Sequence, residues 1–456
     1  MRKKSEVSLL SSYNRNMKIL RRYWKAIEII SLLLMFAGGV LYYTYGRNTT
    51  VPVTYKTPEE ADVYVRFVME GYDSIVKNFW MKANEGDLAH LFALSLQKAT
   101  QASTTPLAPS ADRAGVARML SSSFAVAPSS ETKKKLAQDT LKVLLYNLQP
   151  IGRNALYSEK QTKELRETVS NINPETDLYQ NLGLAKGADA EEIAKAYKEK
   201  EAELKNATST EAKQELEKVV YAKNVLTNPD SKVLYDEAKI EPTVWGRRMG
   251  ETLYLSIGKI SPTTLQEFGR AVESASTTAK LDSLIIDVRG NVGGALDFLQ
   301  YFLGLFIGEH QFAFDFFHQG DYEAQRTINL KWDVLARYKE IAFLTDKMTQ
   351  STAELTVATF KRLHLGVVVG EPTRGWGSVE NTFPMETVID PNEKFSLFLV
   401  HRLTLRDDNQ PIEQNGVEPD IDTRKPNWRK ELPKFFRSES LIQAVSKTAT
   451  ELPLRK

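Results

Sequence analysis

Ser283 to Asp287 reads Ser-Leu-Ile-Ile-Asp and runs directly into Val288-Arg289-Gly290-Asn291-Val292-Gly293-Gly294, after which a helical apolar pattern begins. Such a strand, glycine turn and helix can form a binding site or be a plain tight turn. Glycines there let backbone N–H groups point into a cleft, where they can bind a phosphate or an oxyanion. From about Ile240 onward the same alternation recurs: short β-rich runs (252–258, 283–290, 365–370, 395–405) are separated by helical patterns such as the one opened by Ser261-Pro262. The segment therefore reads as an α/β domain. The spacing of the turn, G-x-x-G-G, is neither a Rossmann fingerprint nor a Walker loop, which argues against a nucleotide.

At 456 residues the chain has room for about three folding units, and 42% hydrophobic with 26% charged residues is a globular composition. Sixty Lys and Arg against 58 Asp and Glu leave a net charge of +2, too balanced for the field that drives nucleic-acid binding. With no cysteine there is no disulfide framework, Cys-ligated zinc, iron–sulfur centre or thiol nucleophile. The five histidines (His90, His310, His318, His364, His401) fall into no hydrolase or metal-binding spacing, so neither a cofactor nor a metal is expected.

The first 28 residues are basic, with Arg2, Lys3, Lys4, Arg15, Lys18, Arg21, Arg22 and Lys25 opposed by Glu6 and Glu28. Ile29 to Tyr45 carries no charge and is flanked by Tyr23, Trp24, Tyr42, Tyr43 and Tyr45. These features predict one transmembrane helix over 29–46, uncleaved, with residues 1–28 cytoplasmic and the bulk of the chain extracytoplasmic, in the periplasm or at the cell surface. Residues 56–170 read as a helical domain, opened by Thr57-Pro58-Glu59-Glu60 as cap, first-turn proline and acids, and continued by an apolar stripe of Val63, Val65, Phe67, Val68, Tyr72, Ile75 and Phe79.

Residues 175–238 form a further helical module. Tyr179, Leu182, Gly183, Ile193, Ala196, Tyr197, Tyr221, Ala222, Val225, Leu226, Pro229, Tyr235 and Asp236 stand in the order of a J-domain, and the segment resembles the DnaJ-type co-chaperones. In that family a His-Pro-Asp turn engages the partner ATPase; here Lys205-Asn206-Ala207 stands in its place. A DnaK-type chaperone is accordingly not expected as a partner.

Two more pieces complete the α/β domain, 242–424, which is followed by a charged C-terminal segment, 425–456. Thr349-Gln350-Ser351-Thr352-Ala353-Glu354-Leu355 opens a helix; Ser351 and Glu354 suit a capping box, and a serine at a helix start also suits a nucleophile. Gly370-Glu371-Pro372-Thr373-Arg374-Gly375-Trp376-Gly377-Ser378-Val379-Glu380 is a glycine-punctuated turn after a strand, and Asn415 to Ile421 reads Asn-Gly-Val-Glu-Pro-Asp-Ile. Together with the 287–294 turn, these stretches resemble the carboxy-terminal processing, or tail-specific, serine proteases.

That resemblance implies a crotonase/ClpP-like α/β core with Ser351 as nucleophile, Glu354 and Thr373 as motif residues, and the N–H groups of Thr352 and of Gly293 or Gly294 as oxyanion donors. It also implies a Lys as general base, where this chain has Trp376, and a Gln orienting that Lys, where it has Glu380. An indole N–H cannot accept the serine proton. Lys347, or a Glu380 whose pKa is raised beside the indole, is the alternative base. The family's PDZ domain, which captures substrate C-termini, is replaced by the J-like module. The sequence thus points to a membrane-anchored member of the family with impaired or lost proteolysis, which binds unfolded or extended polypeptide or serves as a scaffold. The alternative is an active serine endopeptidase with a non-standard base. Trp376→Lys is expected to restore some cleavage if the oxyanion side is intact.

Overall fold

Each early helix begins at a side chain that satisfies its first N–H groups. Asp62 caps α1 (Val63–Asn78), Asn84 caps α2 (Glu85–Thr100), Asp112 caps α3 (Arg113–Ala125) and Ser129 caps α4 (Ser130–Asn147). Thr57-Pro58-Glu59-Glu60 does not open the long helix; Pro58–Ala61 is a single 3₁₀ turn and Asp62 takes over as cap. The 56–170 stretch is not helical throughout, because Ala155–Ser158 forms strand β1 ahead of α5 (Glu159–Val169). The computed structural model describes residues 55–106, 108–205, 209–276 and 280–454. The chain divides into Met1–Pro58 and Glu59–Lys456, and every α-helix and strand named here belongs to the second unit.

The helical module comprises α6 (Leu178–Asn181), α7 (Ala190–Leu204), α8 (Thr210–Thr227) and α9 (Pro229–Ala238). Its own small core gathers Leu178, Tyr179, Leu182, Ile193, Ala222, Val225, Leu226 and Tyr235, most of them residues that carry the J-domain pattern. Tyr235 ties the ends of the module together, accepting from the Leu178 N–H and donating to the Thr176 carbonyl. Asn206 and Ala207, at the place of the His-Pro-Asp turn, lie outside the described residues.

The remaining elements are β2 (Val244–Met249), β3 (Thr252–Ile257), α10 (Thr264–Ser276), β4 (Ser283–Asp287), α11 (Phe298–Ile307), β5 (Phe312–His318), β6 (Asp321–Arg326), β7 (Glu340–Thr345), α12 (Thr352–Arg362), β8 (Val367–Gly370), β9 (Ser378–Pro384), β10 (Phe395–Thr404), β11 (Ile421–Asp422), α13 (Leu432–Phe435) and α14 (Glu439–Thr448). Six strands form a sheet in the order β11-β8-β7-β4-β3-β2, parallel except for the β2–β3 hairpin. β3 and β4 are buried at every position, as strands covered on both faces must be. Leu284 and Ile286 face a core shared with Phe268, Phe302 and Phe360 of α10, α11 and α12, whereas Ile285 faces Leu441 and Val445 of α14.

The second sheet is antiparallel. β10 is its centre, flanked by β1, β5 and β9, with β6 beyond β5. The α1–α4 helices share one core with β10, where Phe67 meets Phe395 edge-on at 5.6 Å. The N-terminal helices are thereby fixed against a strand that pairs with the 378–384 segment, next to the glycine turn.

The expectation of a single-pass membrane protein, with a transmembrane helix over 29–46, is corrected. Residues 29–46 lie outside the described residues, and among the described residues no helix is long and apolar enough to cross a membrane. The fold supported by the structure is an α/β core with a helical N-terminal region. The membrane contact and the periplasmic or cell-surface localisation rested on the expected 29–46 helix and are corrected with it.

Candidate active site

The site forms at the C-terminal ends of β4, β7 and β8, where three turns are stitched together by backbone and side-chain hydrogen bonds. Thr349 donates from Oγ1 to the Val288 carbonyl (2.9 Å), and the Gln350 N–H donates to the Asn291 carbonyl (2.9 Å). Asp346 Oδ1 accepts from the Gly290 N–H at 2.7 Å. These bonds press the 290–294 turn against the start of α12. A Cβ at Gly293 would stand 2.7 Å from Ser351 Cβ and 2.9 Å from Thr352 N, so only glycine fits, and its φ of +83° is one that glycine adopts freely.

Ser351 itself has φ 57° and ψ −129°, a conformation rare for a residue with a side chain. Its N–H is shared between Glu354 Oε2 (2.9 Å) and the Trp376 carbonyl (3.1 Å), which holds it there. Thr352 N–H and Gly294 N–H have no acceptor among the described residues. The Gly293 N–H is already taken by Asn291 Oδ1 at 2.8 Å. Of the two glycines considered as oxyanion donors, Gly294 is therefore the one whose amide is open.

Glu354 is fully buried and accepts four hydrogen bonds: Thr373 Oγ1 (2.5 Å) and Gly375 N (2.7 Å) on one oxygen, Trp376 N (2.8 Å) and Ser351 N (2.9 Å) on the other. Burial pushes its carboxyl up while these donors oppose the shift. With its lone pairs so occupied, Glu354 serves as the clamp joining α12 to the 373–376 turn. Thr373 completes the clamp, since its Oγ1 also accepts from the Val417 N–H at 2.8 Å.

Trp376 sits where the Lys base was expected. The Arg153 guanidinium carbon lies 3.3 Å from its ring centroid, and its Nε1 points to Glu380 Oε1 at 3.4 Å. Arg153 also donates to Ser378 Oγ and Glu413 Oε1, both at 3.0 Å, while Glu413 Oε2 accepts the Gly377 and Ser378 N–H groups. Ser378 Oγ donates to Glu380 Oε1 at 2.6 Å. Burial raises the Glu380 pKa, with Ser378, Arg153 and Trp376 pulling the other way; burial lowers that of Arg153, with Glu413 and Glu380 opposing.

The structure thus brings Ser351, Thr352, Gly293, Gly294, Glu354, Thr373, Trp376 and Glu380 together. It does not add Lys347, which is exposed. Among the described residues no titratable side chain hydrogen-bonds the Ser351 hydroxyl, and no cluster could hold a metal. Arg153 and Glu413 escaped sequence reasoning. Arg153 precedes Trp376 by more than two hundred positions in an irregular stretch, and nothing local marks it.

Residues 251–423 match peptidase family S41, and residues 177–236 match the DnaJ domain. Carboxy-terminal processing protease CtpB of Bacillus subtilis (strain 168) is 27% identical over 192 residues, which are 41% of this chain; the chain spans only 36% of that relative's length. Similar solved structures include a lipoprotein from Streptococcus agalactiae (13% identity, 85% of this chain and 98% of the other, TM-score 0.42). Another is a photosystem II D1 C-terminal processing protease (11% identity, 81% and 93%, TM-score 0.46). What is shown is thus a match to peptidase family S41 over residues 251–423, preceded by a segment that matches the DnaJ domain.

Proposed function

We propose that the Ser351 cleft binds extended polypeptide without cutting it, so that the protein acts as a polypeptide-binding or scaffolding pseudoprotease. The observation that carries this reading is the pairing of Arg153 with Trp376 at the base position. Serine attack on an amide needs a group that takes the hydroxyl proton within hydrogen-bond reach. An indole donates only, a guanidinium stays protonated, and Glu354 is saturated by four donors. Glu380 is engaged by Ser378 and the indole rather than by Ser351.

One feature favours the second reading, an active serine endopeptidase with a non-standard base. Ser351 keeps its strained conformation beside the open N–H groups of Thr352 and Gly294, an arrangement suited to an oxyanion. The test is to incubate the purified protein with an unfolded protein substrate, with Ser351→Ala alongside, and to read product masses. No cleavage by either form while the substrate is retained supports the pseudoprotease. Cleavage that vanishes in Ser351→Ala establishes the peptidase.

A further inference from the structure

The six-stranded sheet ends on β2, which among the described residues pairs only with β3. The hairpin turns at Gly250-Glu251, so Met249 opposite Thr252 closes it as a hydrogen-bonded pair, and Arg247–Tyr254 and Trp245–Ser256 follow in the same phase. Gly246 and Arg248 lie between those pairs. Their N–H and C=O groups point away from β3, and no partner for them exists among the described residues.

This edge forms the floor of a groove of about 740 Å³. One wall is α10, through Glu267, Arg270 and Ser274; the other is the helical module, through Asn228 and Asp230. Arg270 and Asp230 join the walls by an ion pair of 2.9 Å. At the Val244 end Glu267 accepts the Thr243 and Val244 N–H groups and so ends the free edge. At the other end Arg248 is exposed; its side chain donates from Nε to the Gly250 carbonyl, and its terminal nitrogens have no partner among the described residues.

We propose that this groove takes up an extended polypeptide as an added strand on β2, with an acidic side chain set opposite Arg248. The unpaired N–H and C=O groups of Gly246 and Arg248 match the spacing of a peptide backbone. The guanidinium supplies charge complementarity at one position. The helical module contributes a wall of the binding site, and that contribution needs no ATPase partner. The proposal does not depend on how Ser351 behaves, because the groove uses none of the residues around it.

The test uses the full chain and a fluorescein-labelled eight-residue peptide of alternating Val and Glu, read by anisotropy. Arg248→Pro removes the outward N–H at a strand edge where proline is tolerated; Arg248→Val keeps that N–H and removes the charge. Binding is expected to weaken at least tenfold in Arg248→Pro and severalfold in Arg248→Val, with the urea midpoint unchanged. N-methylation of the peptide at alternate residues is expected to abolish binding in one phase and spare it in the other. Because the chain has no cysteine, Ser274→Cys carrying a photocrosslinker marks the groove uniquely and should capture the peptide. Binding indifferent to Arg248→Pro and to both N-methylation phases overturns the proposal. So does self-association that Arg248→Pro abolishes in a protein that binds no peptide, which would assign the edge to a second copy.

Discussion

Arg153, from the N-terminal helical region, stacks its guanidinium 3.3 Å from the centre of the Trp376 indole and is anchored there by Ser378 and Glu413. The position where a lysine would act as base is thus filled from two directions. The change at 376 is part of a unit with Arg153 and Glu380, which alters what a simple reversion should do.

Trp376→Lys alone is expected to leave proteolysis within about tenfold of background, since a base of this kind contributes on the order of 10²–10⁴ only when neutral and in reach. A new ammonium would sit beside the Glu380 carboxyl, which favours its charged form, and beside Arg153, whose space it needs. The triple variant Arg153→Ala, Trp376→Lys, Glu380→Gln removes both obstacles. Product masses from an unfolded substrate should show cleavage in the triple variant well above the single one; equal silence in folded proteins would refute the coupling.

Arg153→Ala should destabilise the protein by about 2–4 kcal/mol, because it leaves the buried Glu413 carboxylate short of its counter-charge and strips a cation–π contact. Comparison of urea midpoints with Trp376→Leu, which removes the ring, and with the double variant measures the interaction between the two. Independent, additive effects would show that the stack contributes nothing.

Glu354→Gln keeps the shape of the clamp but turns one acceptor oxygen into an NH₂ group facing N–H donors. A loss of about 2–4 kcal/mol is expected, seen as a lower melting temperature. Ser351 should then be released from its strained φ. A melting temperature equal to wild type would mean that the four hydrogen bonds do not hold the turn.

Glu380 gives a pH dependence of definite sign. Burial raises its folded pKa above the unfolded value, so between the two values the folded state holds the proton that the unfolded state has lost. Its contribution to stability therefore falls as pH rises through that window and is constant above the folded pKa. Glu380→Gln, which cannot ionise, should gain stability relative to wild type on going from pH 4 to pH 8, measured by urea midpoints. A difference that stays flat, or reverses, counts against the burial argument.

Most of the candidate site was legible in the chain because its chemistry is carried by short stretches. Gly293-Gly294, Ser351 with Glu354, and Thr373 to Glu380 each hold their neighbours within a few residues, and the structure joins them through Asn291, Asp346 and Glu354. The helical region was legible in the same way, from caps and apolar spacing, although Asp62 rather than Thr57 starts α1. What the sequence could not state was which amide of the glycine pair stays open, since that depends on where the Asn291 side chain turns.

By itself, then, the sequence determined the α/β core, the DnaJ-like segment and the absence of a lysine at position 376, because residue identity and local period suffice for those. Only the tertiary structure decided what occupies the lysine's place, that burial raises the Glu380 pKa and which sheet edge is left open. Each of these rests on contacts between residues far apart in the chain: β10 draws the α1–α4 helices and β1 to the glycine turn, Arg153 follows them onto Trp376, and β2 ends the sheet beside the helical module. Burial and charge act through space, and a chain read in order does not carry those distances.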